Sequence, residues 1–264
     1  MIKFSPLWAI TIRHLRLYKH DLNLLLMVSF WPLLDVVTWG YLGSWIQESG
    51  ITQFHNYKVV ALLGVLLWQI VGRGANGIAI AFNEELWSNN ILNLFSLPLH
   101  LLEWCLGIIL YFALMIVATA LCGFLSIYML YDVSLWTLAC NFLIFSPPLF
   151  FTAIWLGFMS LSIVVLLGKR GVELGFVTVW FLLPFSGAYY PIEVLPAWGQ
   201  TLSGFFPMSY IFSGMRAAVL YQQDPIFYLI KGYCMSFIYA ISAISIFIYL
   251  FNRCKQKGIT RLMD

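Results

Sequence analysis

Charge is what this sequence has least of. Only 9% of its 264 residues are Asp, Glu, Lys or Arg, whereas 62% are hydrophobic. Soluble domains carry about a quarter of their residues as charge, so this composition could not build a fully water-exposed surface. Close cysteine pairs are also missing. Cys105, Cys122, Cys140, Cys234 and Cys254 are scattered, four in apolar segments and one in a basic tail, and that spacing suggests neither a disulfide framework nor a zinc site. His14, His20, His55 and His100 stand apart and form no ligand set. A Gly-x-x-x-x-Gly-Lys-Ser/Thr loop is absent, because Gly168-Lys169 lacks both the earlier glycine and the following hydroxyl. Among eleven acidic residues the nearest thing to a cluster is Glu84-Glu85, with no histidine beside it, so no acid–base centre is suggested. The chain is expected to bind no metal, cofactor or nucleic acid and to carry no catalytic residues. No cleavable leader is expected either: Lys3, Arg13, Arg16 and Lys19 spread over a stretch with no apolar block directly behind Met1.

What is abundant is apolar sequence in unbroken blocks, the mark of helices whose solvent is lipid. Six spans are expected, at 22–45, 57–82, 104–130, 147–167, 171–190 and 226–251. Each is near the length needed to cross a hydrocarbon core of about 30 Å. Residues 1–21 read as an interfacial amphipathic helix, with Leu7, Ile10, Leu15 and Leu17 alternating with Arg13, Arg16 and Lys19. Pro32 is expected to kink the first span. The block 135–167 would be about 50 Å long as one helix, so Pro147-Pro148 is expected to break it and leave 147–167 as the crossing. Trp31, Trp45, Trp104, Trp136 and Trp198 lie near span ends or kinks, where interfacial belts place them.

Basic residues set the orientation. With both termini inside, Lys3, Arg13, Arg16, Lys19, Lys169, Arg170, Arg253, Lys255, Lys257 and Arg261 face the cytoplasm, against Lys58, Arg216 and Lys231 outside. The expected fold is therefore an all-α integral membrane protein with six transmembrane helices, an N-terminal interfacial helix and both ends in the cytoplasm.

Two charges fall inside spans. Asp35 is about 13 residues into the first, roughly 20 Å from its inner end, and Arg73 is about nine residues from the inner end of the second, roughly 14 Å deep. A lone charge at that depth costs at least ~2.5–3.5 kcal/mol on insertion scales. Asp35 and Arg73 are thus expected to pair, or to face a polar cavity together. Such a pair either locks two helices or meets the head group of a solute.

Residues 191–225 cannot be a continuous span, since Pro191, Pro196 and Pro207 punctuate them and the pieces between are too short to cross. They read as an external re-entrant helical hairpin between helices five and six. Ser186-Gly187, Pro191, Leu195-Pro196, Pro207 and Arg216 follow in an order that resembles the membrane (permease) subunits of type 2 ATP-binding-cassette exporters. The link 83–103 is similar to their cytoplasmic coupling region in its acidic pair Glu84-Glu85, its Leu92, Leu94 and Phe95 run, and its exit Ser96-Leu97-Pro98-Leu99. It departs at Ser88-Asn89-Asn90, where many members carry a Gly-Thr pair.

The resemblance implies a single permease domain over 1–264 in a bacterial inner membrane, exporting an amphiphilic solute such as a drug, a lipid or a lipid-linked glycan. It implies two partner ATPase subunits that carry ATP and Mg, a second permease copy forming a homodimer, and contact with membrane lipids. Glu84, Glu85, Leu92, Leu94, Phe95 and Pro98 would couple to the ATPase. Pro191, Leu195, Pro196, Pro207 and Arg216 would form the external signature. An integral-membrane lipid or glycan transferase, and an ATP-independent channel or scaffold, are the alternatives weighed.

Overall fold

A computed structural model describes residues 4–20, 22–49, 56–97 and 99–258. Lys3, His55, Pro98 and Arg261 fall outside them. Among these residues ten α-helices follow one another: α1 (Phe4–His20), α2 (Leu22–Glu48), α3 (Tyr57–Trp87), α4 (Ile91–Ser96), α5 (Leu101–Leu130), α6 (Leu135–Leu167), α7 (Gly171–Ser186), α8 (Ala197–Ser203), α9 (Pro207–Leu220) and α10 (Ile226–Lys257). Short 3-10 turns occupy Gly168–Arg170 and Ile192–Val194, and no strand occurs among the described residues. Apolar sequence folds this way in lipid because a helix satisfies every backbone polar group within its own segment.

Among the described residues, four helical stretches are long and apolar enough to cross a bilayer: Tyr57–Trp87, Leu101–Leu130, Leu135–Ser186 and Ile226–Lys257. This is a multi-pass, all-helical membrane protein. The third stretch has 52 residues and turns back on itself at Gly168. Gly171 lies against Ile163 and Val164, and Gly175 lies against Ser160, so α7 runs antiparallel along α6.

Other contacts give the remaining directions. Gly43 of α2 meets Ala61 of α3, while Asp35 meets Gln69 further along, so these two helices are antiparallel. Gly123 of α5 meets Leu66 of α3, and Phe112 meets Gly74, again antiparallel. Gly74 touches Ala153 and Gly157 touches Ile78, making α3 and α6 parallel. Thr152 joins Ser236 at 2.9 Å and Phe158 meets Phe247, making α6 and α10 parallel. Thus α3, α6 and α10 run one way and α2, α5 and α7 the other.

Helix pairs in lipid gain little from the hydrophobic effect and depend on close packing. Gly74 shows how close. A Cβ there would lie 1.9 Å from Phe112 Cζ and 2.7 Å from Ala153 Cβ, so only glycine lets α3 run between α5 and α6. At one end of the bundle, Phe82, Trp104, Phe158, Phe247 and Phe251 form a buried aromatic cluster. Phe95 of α4 closes it, 4.7 Å from Phe251. The N-terminal helix docks at this same end, which is called the α4 end below.

Several expected boundaries need correction. Pro147 and Pro148 do not break the 135–167 block; α6 runs through both. Two prolines remove two backbone donors, but a break amid apolar neighbours would strand more groups than that. Pro32 likewise lies inside a continuous helix. The second apolar helix does not stop at Phe82 but continues to Trp87. Asn83 and Glu85 are buried there, so their polarity does not mark the helix end. That end comes at Ser88, whose hydroxyl donates to the Glu84 carbonyl at 2.7 Å, and at Asn89, which takes a positive φ of 53°. The third begins at Leu101 rather than Trp104, capped by Glu103 accepting from the His100 amide at 3.1 Å. The fifth ends at Ser186 rather than Tyr190, because Gly187 turns the chain at φ +71°.

Candidate functional site

A cavity of about 470 Å³ opens between α2, α3, α5 and α7. Its polar wall is built chiefly by α3. Gln69, Arg73 and Asn76 are spaced i, i+4 and i+7, which places them on one helix face, and all three line the cavity. Asp35 reaches the same wall from α2, and Thr119 from α5. Asp35 and Arg73 are the charged side chains among the described residues that line it.

Gln69 links the two charges. Its Nε2 donates to the Asp35 carboxylate, and its Oε1 accepts from Nε of Arg73. The amide has one sensible orientation here, because a carboxylate only accepts and a guanidinium only donates. Asp35 and Arg73 therefore meet through an intermediary, and both face a common cavity. Asn76 adds an unmet acceptor: its side-chain oxygen is buried with no hydrogen-bond partner in the chain. Two turns further down α3, Asn83 is wholly buried with neither amide atom bonded. Leaving such a group unbonded costs about 1–3 kcal/mol.

The rest of the cavity is apolar and largely aromatic. Trp31, Trp68, Tyr111, Phe112, Trp180 and Tyr189 contribute to its walls. Tyr189 is held by stacking on Trp39, with ring centroids 4.1 Å apart and planes 9° from parallel. Trp31 and Trp180 are about half exposed and stand on α2 and α7, at the outer surface of the bundle. Of the residues expected to act within the membrane, Asp35 and Arg73 are here. Gln69, Asn76 and Trp180 were not singled out from sequence. The α3 spacing was the available signal.

The α4 end carries the second group of expected residues, and the structure divides them. Glu85 is buried and turned inward. Its carboxylate pairs with Arg13 of α1 at 2.7 Å and accepts from Asn90 Nδ2 at 2.6 Å. Leu94 and Phe95 are buried under the aromatic cluster. Leu92 is exposed, together with Trp87 and Leu97. Glu84 is partly exposed and lies 3.8 Å from His14 Nδ1. Burial pulls His14 down to about 4, with Glu85 opposing that shift and Arg13 adding to it. The imidazole is therefore neutral at physiological pH, and its approach to Glu84 is a contact rather than an ion pair. Thr11 fastens the same helix to α5 by donating to the Gly107 carbonyl at 3.1 Å. Pro98 lies outside the described residues.

The third group forms a compact turn. Pro191 precedes the 3-10 turn, Leu195 follows it, Pro196 caps α8 and Pro207 opens α9. Gln200 Nε2 donates to the carbonyls of Leu195 at 2.8 Å and Glu193 at 3.2 Å, closing the segment. Arg216 is buried on α9 and donates to the Gly187 carbonyl. Burial lowers it to about 10, an effect that nearby Glu193 opposes. It remains charged and holds the end of α7 against α9. Val194, Trp198 and Phe205 stay exposed on this turn.

No family model, no curated protein and no solved structure matches the chain.

Proposed function

We propose that the chain is the membrane-spanning subunit of an ATP-driven exporter of the type 2 ATP-binding-cassette class, moving an amphiphilic solute out of the cytoplasm or inner leaflet. The observation that carries this reading is the cavity. A charged relay is lodged among helices built for lipid, within a chamber of ligand size, and charges kept at that depth by default mark a solute path.

Six crossings accord with the directions of the helices. The 27 residues of α2 would reach about 40 Å, and the stretch Leu135–Ser186 divides into two antiparallel limbs. Added to the remaining three stretches, these make six with alternating direction and bring both ends to one side. Arg13, Arg16, Lys169, Arg170, Arg253, Lys255 and Lys257 gather there, which the positive-inside rule assigns to the cytoplasm. The turn from Pro191 to Leu220 then lies on the outer side as a re-entrant hairpin.

On this reading the exposed ridge of Trp87, Leu92 and Leu97 seats the ATPase, while Glu85, Leu94 and Phe95 carry its movement inward. Two copies of the chain and two ATPases complete the transporter.

Purifying the tagged chain from its native membrane tests this. A stoichiometric P-loop ATPase should come with it, and Leu92→Asp with Leu97→Asp should release that subunit while the permease stays folded. Recovery of the chain with no such ATPase, or ATP hydrolysis by the chain alone, would overturn the reading.

A further inference from the structure

We infer that the cavity binds a zwitterionic amphiphile, one whose head group carries an ammonium and a phosphate or carboxylate. For its place in transport the inference rests on the permease reading above; for binding it rests on the wall itself. That wall holds one carboxylate, Asp35, and one guanidinium, Arg73, kept a glutamine amide apart by Gln69. These two charges offset each other, so a ligand with a single charge would leave an excess charge in a poorly solvated site, which is the costly arrangement. A zwitterion meets both, with its ammonium at Asp35 and its anionic oxygens at Arg73.

The surroundings favour the same class. Trp68 and Tyr189 line the same cavity and offer aromatic faces to an ammonium, an attraction that strengthens where water is excluded. The volume of about 470 Å³ lies in the range of small-ligand sites. It suits a head group with part of one chain, and not a polymer. Trp31 and Trp180 line the cavity and are about half exposed, so it reaches the outer surface of the bundle, the side from which a molecule resting in a lipid leaflet would enter.

The test uses the intact chain in lipid nanodiscs without any ATPase, with saturable binding measured by calorimetry above that of empty discs. Four probes are compared: octylphosphoethanolamine, octylammonium, octyl phosphate and tail-free glycerophosphoethanolamine. The zwitterionic amphiphile should bind at least tenfold more tightly than either singly charged one. If the tail-free head group binds as well as the tailed zwitterion, the ligand is a soluble zwitterion and the inference of an amphiphile is overturned. Equal or tighter binding of octylammonium or octyl phosphate overturns the inference, and so does the absence of saturable binding by all four.

The wild-type comparison needs no variant. As a second readout, Arg73→Gln should shift preference toward octylammonium and Asp35→Asn toward octyl phosphate. The doubly neutral D35N/R73Q protein, which keeps the relay without charge, should lose the preference altogether. Preference unchanged in this double variant would also overturn the inference. Failure to find an ATPase leaves these measurements intact, so the two readings fail separately.

Discussion

Asp35→Arg and Arg73→Asp should each destabilise the protein by about 3–5 kcal/mol, and the double exchange D35R/R73D should recover most of that loss. Each single change puts two like charges on one wall of a cavity buried among apolar helices. Neither can be solvated as it would be at a surface, so the cost is that of a buried, unmatched charge. The exchange works because of the residue between them. Gln69 donates to Asp35 and accepts from Arg73, and rotating its amide by half a turn serves the reversed order equally well. Thermal unfolding of the detergent-solubilised protein, followed by size-exclusion chromatography, reads all three variants. A double variant no more stable than the singles would show that the charges do not act as a unit. Gln69→Leu should leave the exchange without its intermediary and abolish the recovery.

The second large effect concerns how α1 is held. Glu85→Ala should loosen this helix from the bundle while α5, α6 and α10 stay packed. The carboxylate joins three separate pieces: Arg13 on α1, Asn90 at the start of α4 and its own helix end. A hydrogen bond to a charged group contributes about 1.5–3 kcal/mol, so amide exchange across Leu7–His14 should quicken at least tenfold. Exchange in the Phe82–Trp104–Phe247 cluster should not change. Equal protection of α1 in both proteins would mean that Glu85 is merely buried and does not clamp it.

The same contact is sensitive to acid. His14 is neutral and buried, facing Glu84 and Glu85 from α3, Arg13 from its own helix and the Tyr111 ring of α5 at 5.2 Å. Its folded pKa of about 4 lies below the ordinary value of 6.5, so the detached helix binds the proton more readily. Docking is therefore at full strength above pH 6.5 and weakens as the pH falls toward 4. His14→Leu should remove this dependence.

Much of this architecture can be read from the residues alone. Long apolar blocks with few charges announce membrane helices, and Leu7, Ile10, Leu15 and Leu17 alternating with Arg13, Arg16 and Lys19 announce an amphipathic N-terminal helix. The shared depth of Asp35 and Arg73 placed them on one wall. Other features depend on what surrounds a residue, which no local pattern reports. Pro147-Pro148 reads as a break because in water it would be one; between α3, α9 and α10 the helix has no better place to leave its carbonyls. Glu85 reads as a solvated acid because carboxylates usually are, yet Arg13 arrives from 72 positions earlier to neutralise it. Leu94 and Phe95 read as a docking ridge together with Leu92, but six residues of helix turn only one face outward, and that face belongs to Leu92. Gln69 carries no signal of its own in the sequence, since a lone amide in a span can bond along its own helix, and only the approach of α2 shows it bridging two charges.

The most direct test of the whole account is the side of the membrane on which the α4 segment lies. In a background with Cys105, Cys122, Cys140, Cys234 and Cys254 replaced, a single cysteine is introduced by Asn93→Cys or by Trp198→Cys, and intact cells are treated with a membrane-impermeant maleimide. The account predicts labelling of the second protein in intact cells, and of the first only after the membrane is opened. Labelling of N93C in intact cells would place α4 outside, out of reach of any cytoplasmic ATPase, and would contradict it.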